Sequence, residues 1–479
     1  MSDATRLVAE LGPWRAGAGR RYEQLAAAIR EVVERGSFDG ATLPAERRLA
    51  AALGVSRSTV TRAYAELRRD GSIASRERSG TVVRAIARRR AAPVAQLPQV
   101  SRLLGAPGDG IDLSVAAPPL DDLVRALTVT LGAGADGLHP HGYLPAGLPA
   151  LRAAVAERET RLGVPTAPEE VLITCGAHEA LHLLTALLVG RRQAVVTEAP
   201  TYAGALEIFE RAGARAIAVP DDVAGMRPDG LREALSRTVA GLVYLMPGCR
   251  NPTGQAVPDG RRRALLAIAE EHDVPVLEDA TLDEVRFAGP RTPLRALSPQ
   301  RVIRIGSISK IVWGGLRVGW VCAPREIVGP LARLKAASDL GGGLLGQVAA
   351  LELLRRADEL FPQRRRLAQE RIELLAAELR RAVPAWRLAV PEGGWSLWAQ
   401  TPGADGDAVV AAAAAAGVHI APGRSHLPDG RRTDWVRVCA GAPPERLALA
   451  AERLAIAWEA LRDGAVPPPV PAERPSGVA

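Results

Sequence analysis

Short apolar runs alternate with long amphipathic stretches through the middle of this chain, and few folds are compatible with that alternation. Five runs predict β-strands buried on both faces: Val171–Thr174, Ala194–Thr197, Gly241–Met246, Val274–Leu277 and Val302–Ile305. Helical patterns such as Glu179–Leu188 and Arg261–Glu271 separate several of these runs. Such an order is typical of an α/β sheet covered by helices, in which ligands bind beyond the carboxyl ends of the strands. We therefore expect functional residues directly after the runs.

Length and composition narrow the class of protein further. A chain of 479 residues, 47% of them hydrophobic, is expected to form two or three domains with a large core. It has no uncharged apolar run of membrane-spanning length and no signal-peptide pattern, so we expect a cytoplasmic protein that does not enter a membrane. The cysteines show no metal-binding spacing, which predicts reduced thiols and no metal site: Cys175, Cys249, Cys322 and Cys439.

Positive charge is concentrated at the amino-terminal end. Residues 1–90 contain 18 arginines, no lysine and 10 acidic residues, so they carry the whole net charge of +8. The remaining residues are neutral overall. A basic module on a neutral body indicates a nucleic-acid partner rather than an acidic small substrate.

Three helices are predicted within this basic module. An apolar stripe predicts a helix over Tyr22–Arg35, and a second, short helix is expected with Pro44 near its first turn. That helix closes at Gly54, and Ser56 is a suitable N-cap for a third helix over residues 57–69. A helix, a tight glycine turn and a second helix form the helix-turn-helix layout, whose second helix enters the major groove of DNA.

Polar and basic side chains stand where DNA would lie against such a module. Four residues begin the third helix, where base edges and phosphates are contacted: Arg57, Ser58, Thr59 and Arg62. Short strands at Ile73-Ala74 and Thr81–Val83 flank a basic tip, residues 76–80, which predicts a wing. The alternative is a three-helix interaction domain whose arginines are only solvated.

The module resembles the GntR class of winged-helix regulators. The resemblance rests on the motif L-P-x-x-R-x-L-A, then V-S-R-x-T-V-x-R-A-Y-x-x-L, then D-G before a basic wing, and it spans residues 20–86. It implies DNA contacts by Arg47, by Arg57 and Thr59, and by the wing around Arg78-Ser79-Gly80.

A lysine stands shortly after the last of the five apolar runs. Lys310 is one of only two lysines among 61 basic residues, the other being Lys335. Arginine cannot replace lysine where chemistry needs an amine that loses its proton, because guanidinium stays charged. Ser307, Ser309 and Arg317 would supply hydrogen-bond donors to a phosphate beside an imine-forming lysine. The alternative is a surface lysine that simply follows a strand.

This stretch resembles the S-x-S-K-x-x-x-x-x-x-R segment of pyridoxal-phosphate enzymes with the aspartate-aminotransferase fold, and four further segments match in the family's order. The resemblance implies a large sheet domain, a small carboxy-terminal domain and pyridoxal 5'-phosphate bound to the lysine. The cofactor-binding residues that it implies are Gly176, Ala177, His178, Tyr202, Asn251, Asp279, Thr281, Ser307, Ser309, Lys310 and Arg317.

The resemblance also gives roles to several of these positions. Gly176 and Ala177 begin a helix whose free N–H groups suit a phosphate, and His178 stands where the family has Gln or a small hydroxyl residue. Tyr202 would stack on the pyridine ring. The side-chain amide of Asn251 would hydrogen-bond the phenolic oxygen of the cofactor.

Two further positions bear on catalysis. Asp279 would keep the pyridine nitrogen protonated, so that the ring withdraws electrons. The family commonly has a tyrosine two or three positions later, where this chain has Thr281 and Leu282. Because threonine is a poor substitute for that tyrosine, we expect inefficient transamination.

Substrate contacts are implied outside the cofactor set. Arg437 matches the arginine that binds the α-carboxylate, for which a bidentate guanidinium is suited. The alternative is an edge-strand arginine held in a salt bridge. Tyr143 stands in a segment through which a neighbouring subunit reaches the site, and Gly393-Gly394-Trp395 looks like a turn beside the substrate pocket.

A GntR-type winged helix joined to an aminotransferase-like body resembles the MocR subfamily of regulators. The domains expected are a winged helix over 18–86, a linker over 87–110, a pyridoxal-phosphate domain over 111–462 and a disordered proline-rich tail over 463–479. The resemblance implies a homodimer that binds double-stranded promoter or operator DNA and senses pyridoxal phosphate or an amino compound through an aldimine at Lys310. The alternative is a competent aminotransferase with an autoregulatory winged helix.

We expect the basic module to make several phosphate contacts, so its DNA affinity should fall steeply between low and moderate salt. Arg57→Ala should relax discrimination between sequences, whereas loss of an arginine that touches only phosphate should weaken binding to all sequences alike. Titrating the protein against the promoter of its own gene and unrelated duplexes at several salt concentrations measures both effects. Equal affinity for every duplex would contradict a sequence-specific regulator.

Overall fold

The computed structural model describes residues 3–11, 14, 20–34, 42–69, 73–76, 80–83, 110–125, 127, 141–190 and 193–464. The chain divides into two compact units, Met1–Gln96 and Leu97–Ala479. Four of the sequence predictions fall wholly or largely outside the described residues: the tip of the wing at residues 77–79, the DNA contact Arg78 within it, the linker up to residue 109, and the tail from residue 465.

Helices and one hairpin make up the described part of the amino-terminal unit. A helix that the sequence patterns do not predict, α1 (Asp3–Leu11), comes first. The three expected helices follow as α2 (Arg21–Glu34), α3 (Glu46–Leu53) and α4 (Arg57–Arg69). β1 (Ile73–Arg76) and β2 (Gly80–Val83) then pair antiparallel, which is the hairpin of the expected wing.

Local hydrogen bonds explain where the helices of this unit begin and end. The amide of Thr59 donates to the hydroxyl of Ser56 at 3.2 Å, so Ser56 caps α4 as predicted. Pro44 was expected near the first turn of α3 but lies just before that helix, where its carbonyl accepts from the buried Tyr64 hydroxyl at 2.9 Å. Gly54 ends α3 with φ 62°, a left-handed conformation that glycine adopts without a steric penalty.

An eight-stranded sheet forms the centre of the second unit. Its strands lie side by side in the order β4 (Val171–Thr174), β11 (Gly319–Cys322), β10 (Val302–Ser307), β9 (Val276–Asp279), β8 (Ala240–Leu245), β5 (Ala194–Ala199), β6 (Arg215–Asp222) and β7 (Gly225–Met226). The pairs from β10 to β6 are parallel, whereas β11 and β7 run antiparallel to their neighbours. All five expected runs form strands, although the fourth begins at Val276 and not at Val274.

The five strands that the apolar runs predict are buried on both faces, whereas β6 is mostly exposed or half-buried. In β8, Leu242 and Tyr244 belong to one hydrophobic cluster, whereas Val243 and Leu245 belong to a second one. This alternation follows from the two-residue repeat of a β-strand. The helices of the region are α5 (Asp122–Arg125), α6 (Pro149–Arg161), α7 (Ala177–Leu188), α8 (Ala203–Arg211), α9 (Pro228–Arg237), α10 (Asp259–Glu271), α11 (Arg325–Asp339) and α12 (Leu344–Arg355).

A smaller sheet with its own core lies towards the carboxyl end of the unit. Four antiparallel strands follow the order β12 (Arg387–Ala389), β13 (Ser396–Gln400), β16 (Trp435–Cys439) and β15 (Ala421–Pro422). They accompany the helices α13 (Ala357–Ala382), α14 (Gly406–Ala415) and α15 (Pro444–Arg462). The first described strand of the unit, β3 (Ile111–Asp112), pairs with β14 (Val418–His419), so this domain includes residues from both ends of the unit.

Neither a membrane-spanning helix nor a metal-binding cluster occurs within the described ranges. None of the helices there is long and apolar enough to cross a bilayer. No cluster of three or more His, Cys, Asp or Glu side chains suitable for a metal ion occurs among those residues.

Candidate functional site

A cavity of about 470 Å³ lies where β4, β5, β8, β9 and β10 end, the usual position of a ligand in such a sheet. Every predicted cofactor residue except Gly176 lines it. Small or apolar side chains complete the lining: Val115, Ala117, Leu181, Met246, Leu282 and Gly314. Of the two predicted substrate contacts, neither Arg437 nor Tyr143 is among the lining residues. The fold thus brings motifs from separated parts of the sequence to one place.

Lys310 ends a single 3-10 turn, Ile308–Lys310, that directly follows β10. The indole N–H of the fully buried Trp395 donates to the Lys310 carbonyl at 2.7 Å and fixes the backbone of the turn. The Nζ of Lys310 donates to the carbonyl of Ala116 at 2.7 Å. Burial lowers the pKa of the Lys310 amine to about 8, and the nearby charge of Arg437 is the second cause. More of such an amine is neutral, and hence nucleophilic, than of an exposed lysine.

Arg317 and the loop after β4 form a corner suited to an anion. The Nη2 of Arg317 donates to the Cys175 carbonyl at 2.8 Å. Gly176 has φ 83°, and a Cβ there would lie 2.9 Å from that Nη2, so glycine lets the guanidinium lie against the loop. A Cβ at Gly319 would lie 2.6 Å from the amide nitrogen of Ala177, so Gly319 lets β11 pass close to the start of α7. The first amides and the positive dipole end of α7 favour a phosphate here.

The hydroxyls of the two serines in the lysine segment differ in what they contact. Ser307 donates to the Val318 carbonyl at 2.7 Å and accepts from the Ser309 amide at 3.1 Å. Because its hydroxyl proton is directed to Val318 here, its role as a phosphate donor stays a prediction. Among the described residues the Ser309 hydroxyl has no partner and can donate into the cavity. Burial lowers the pKa of His178, with Arg317 as the second cause, which favours a neutral imidazole.

Both carboxylate oxygens of Asp279 accept hydrogen bonds. The Tyr244 hydroxyl donates to Oδ2 at 2.7 Å, and the amide and hydroxyl of Thr281 donate to Oδ1 at 3.0 and 2.5 Å. The Thr281 hydroxyl therefore holds the carboxylate and does not take the place of the family's tyrosine, and Leu282, which also lines the cavity, has no hydroxyl. Burial raises the pKa of Asp279, so a cationic group beside it would stabilise the charged carboxylate.

Arg437 lies behind the cavity in β16, a strand with a neighbour on each side and not an edge strand. Its Nη1 donates to Oδ1 of Asn251 at 3.1 Å and its Nη2 donates to the Ser114 carbonyl at 2.7 Å. Its Nε is buried without a partner in the described structure, where no Asp or Glu pairs with this arginine. The alternative of an edge-strand arginine in a salt bridge therefore does not hold.

The two predicted aromatic contacts occupy different places. Tyr202 lines the cavity just before α8, and a Cβ at Gly204 would lie 2.5 Å from its ring, so glycine leaves room for the ring over the start of the helix. Tyr143 is 56% exposed and stacks on His141 with ring centroids 5.4 Å apart. Tyr143 does not line the cavity of its own chain, and its predicted substrate contact through a neighbouring subunit stays a prediction.

The described part of the predicted DNA surface lies on α3 and α4. Four of its side chains are exposed to solvent: Arg47, Arg57, Ser58 and Arg62. Thr59 is half-buried, and its hydroxyl lies 2.8 Å from that of Ser56. The guanidinium of Arg62 lies 5.7 Å from the ring centre of Tyr22. Gly80 begins β2, where it is paired with Arg76 of β1.

Some residues that hold the site belong to no motif that the sequence revealed. Arg364 on α13 donates to the carbonyls of Ile311 and Val312 at 3.1 and 2.9 Å and pairs with Asp121, which fixes the backbone just after the lysine. An arginine in an amphipathic helix gives no signal of such a role. Tyr244 did offer one, because a hydroxyl inside a buried apolar run needs a buried partner.

Two known protein families match separate parts of this chain. Residues 109–454 match the family described as aminotransferase class I and II, and residues 21–83 match the gntR family of bacterial regulatory proteins. The HTH-type transcriptional regulator YdcR of Escherichia coli is 30% identical over 85% of this chain and 92% of its own length. The HTH-type pyridoxine biosynthesis transcriptional regulator PdxR of Corynebacterium glutamicum is 31% identical over 68% of this chain and 69% of its own.

A solved structure resembles the second unit. LysN, an α-aminoadipate aminotransferase of Thermus thermophilus complexed with N-(5'-phosphopyridoxyl)-L-leucine, superposes with a TM-score of 0.69 at 31% identity and covers 78% of this chain and 97% of its own. The chain belongs to the class I and II aminotransferase family and carries a GntR-type helix-turn-helix domain before it, which is the arrangement of the MocR subfamily of transcriptional regulators.

Proposed function

We propose that this protein is a transcriptional regulator that senses pyridoxal phosphate, or an amino compound that reacts with it, through the amine of Lys310. The observation that carries the proposal is the half-buried Lys310 amine, with a pKa of about 8, in one cavity with Arg317, Asp279 and Asn251. The GntR-type unit would bind double-stranded promoter DNA, and the state of the cavity would set its affinity.

Polar groups around the cavity suit pyridoxal phosphate. The unpartnered Ser309 hydroxyl, Arg317 and the first amides of α7 suit a phosphate. Asp279, whose pKa burial raises, suits a protonated pyridine nitrogen. The unpartnered Nε of Arg437 suits a carboxylate oxygen of an amino acid.

When bound, pyridoxal phosphate supplies a carbonyl carbon that bonds to a primary amine and a ring that withdraws electrons. Lys310 offers that amine, and Tyr202 would stack on the ring. Because Oδ1 of Asn251 accepts from Arg437, the N–H groups of the same side chain remain to donate to the phenolic oxygen. Tyr244 and Thr281 hold the Asp279 carboxylate in place for the ring nitrogen.

A working aminotransferase is the second candidate, because the chain keeps Lys310, Asp279 and Arg437. Two observations favour the sensor. Leu282 brings no hydroxyl to the cavity, and the Thr281 hydroxyl is committed to Asp279. A sensor needs an amino compound only to take the place of Lys310, whereas transamination also needs a proton to move rapidly near a well-held ring.

The same proposal includes the assembly and the domain limits. We infer a homodimer, in which the exposed Tyr143 would reach the site of the second subunit. The functional domains would be 18–86 and 111–462, joined by a linker over 87–110 and followed by a tail over 463–479. Such a regulator acts in the cytoplasm and associates with the nucleoid when bound to DNA.

Wild-type protein incubated with pyridoxal phosphate should turn yellow and form an adduct that borohydride fixes. Lys310→Ala should lose that adduct while its thermal unfolding stays cooperative. Adduct formation should become faster as the pH rises through about 8, because the Lys310 amine then loses its proton. Lys335→Arg, which removes the only other lysine, should keep the adduct. A wild-type protein saturated with the cofactor but without a visible absorption band would disprove the assignment.

Gly176→Ala should weaken binding of pyridoxal phosphate by about tenfold, because the new Cβ displaces the Arg317 guanidinium from the loop. Gly213→Ala is the matched control: Gly213 also has positive φ, 74°, but its Cβ would meet nothing within 4 Å. Both variants strain the backbone, so both should lower the melting temperature, and only Gly176→Ala should lose affinity in an absorbance titration. Equal affinities of the two variants would exclude Arg317 from phosphate binding.

Multiple turnover with an amino donor and a keto acceptor should stay well below a typical enzymatic rate of about 10 per second. Leu282→Tyr brings a phenol to the cavity and should raise the half-reaction rate about tenfold, since a donor to a developing negative charge stabilises it. Stopped-flow absorbance measures the half-reaction, and keto-acid release measures turnover. Rapid turnover by the wild type would establish the enzyme in place of the sensor.

A further inference from the structure

Residues 110–117, here called the strap, are the next described residues after the hairpin of the amino-terminal unit. The strap is hydrogen-bonded to the carboxy-terminal domain. The amide of Leu113 donates to the His419 carbonyl, and the amide of Cys439 donates to the Leu113 carbonyl, both at 2.8 Å. Ile111 and Leu113 are buried in the core of that domain. The first half of the strap is therefore part of a packed domain.

The second half of the strap contacts the two basic groups of the site. The carbonyl of Ala116 accepts from Nζ of Lys310, and the carbonyl of Ser114 accepts from Nη2 of Arg437, both at 2.7 Å. The side chains on either side of Ala116 line the cavity. One short stretch of backbone thus joins the carboxy-terminal domain to the lysine of the large sheet.

The bend between these halves is held by Asp112. Its Oδ1 accepts from the amide of Ser114 at 2.8 Å and from the Ser114 hydroxyl at 2.7 Å. Asp112 is exposed and does not line the cavity. The bend can therefore be altered without changing a group that would touch a ligand.

We propose that the strap detects whether the Lys310 amine is free and conveys that state to the linker that precedes it in the chain. This inference rests on the proposed function and names the regulation of the same site. A free amine has at least two N–H groups, one of which donates to the Ala116 carbonyl. Once the same nitrogen is joined to the cofactor carbon by a double bond, it keeps at most one N–H group. The strap is hydrogen-bonded to Nζ when Lys310 is a free amine, and it loses that hydrogen bond when Lys310 is joined to the cofactor.

Arg437 holds the Ser114 end of the strap in place whether or not Ala116 is bonded to Lys310. Its Nη2 holds the Ser114 carbonyl while its unpartnered Nε remains for a ligand. A ligand carboxylate can thus be accommodated without breaking the contact with Ser114. Only the hydrogen bond at the Ala116 end of the strap is therefore lost. It forms again when an amino compound takes the place of Lys310 on the cofactor and frees the lysine amine.

Methoxyamine tests the link to DNA without knowledge of the natural effector. It forms a carbon–nitrogen double bond with the cofactor carbonyl carbon as the bond to Lys310 breaks, and Lys310 leaves as a primary amine with no change of oxidation state. Cofactor-loaded wild-type protein should change its absorption spectrum and change its affinity for the promoter of its own gene by at least about threefold, as expected for a small coupling between two sites.

Asp112→Ala should show the same spectral change but no change in DNA affinity, because its bend is no longer held. Asp112→Asn keeps an oxygen that accepts from Ser114 and should behave like the wild type. If methoxyamine changes the DNA affinity of Asp112→Ala as much as that of the wild type, the strap does not couple the lysine site to DNA binding. If the wild type shows no cofactor band at all, the proposed function fails, which is a different result.

Hydrogen exchange of the full-length protein tests the strap directly. Amides of residues 110–117 should exchange about fivefold faster in the cofactor-loaded wild type than in the cofactor-free protein, the effect of one hydrogen bond on a local opening equilibrium. Methoxyamine should restore slow exchange, and Lys310→Ala should show no dependence on cofactor. Peptides from α9, which carries no residue of the site, serve as the internal reference. Equal or slower exchange of the strap in the loaded protein would overturn the proposal.

Discussion

The position of one amine, Nζ of Lys310, depends on contacts from several parts of the second unit. Trp395, from the turn before β13, bonds the Lys310 carbonyl, and Arg364, from α13, bonds the two carbonyls that follow. Neither donor belongs to the large sheet that carries the lysine. A buried amine without a partner is unfavourable, so the bond to Ala116 stabilises the cofactor-free site. The strap therefore belongs to the lysine site itself.

Buried charges align the strands that present the lysine and the aspartate. Arg304 on β10 pairs with Glu159, Glu278 and Asp283 at 3.1, 2.9 and 3.2 Å. Arg304 and Glu278 are direct partners in the β9–β10 register, and the next pair of that register contains Asp279. Because a slip would separate these two buried opposite charges, it is strongly opposed. Burial raises the pKa of Asp283 to about 7, which reduces the excess negative charge around the arginine.

The sequence predicts the strands and the motif positions well for a physical reason. A strand buried on both faces must be apolar throughout, and the residues after parallel strands meet at one edge of the sheet, so Tyr202 and Asp279 could be placed together in advance. The direction of a hydroxyl was beyond such reasoning. Ser307 donates to Val318 and Thr281 donates to Asp279, and both bonds depend on neighbours that only the folded chain provides. The Ala116 carbonyl gave no signal, because a backbone acceptor has no sequence pattern.

Sensing and rapid catalysis require different mobility of the lysine amine once it is free. Catalysis needs an amine that moves readily to carry a proton, whereas a sensor needs an amine that stays where its release can be detected. The Ala116 carbonyl, 2.7 Å from Nζ, favours retention of the amine. Leu282 adds no donor that would hold a cofactor for fast proton transfer. Since the same strap that retains the amine is continuous in the chain with the linker to the DNA-binding unit, retention of Lys310 serves signalling more directly than turnover.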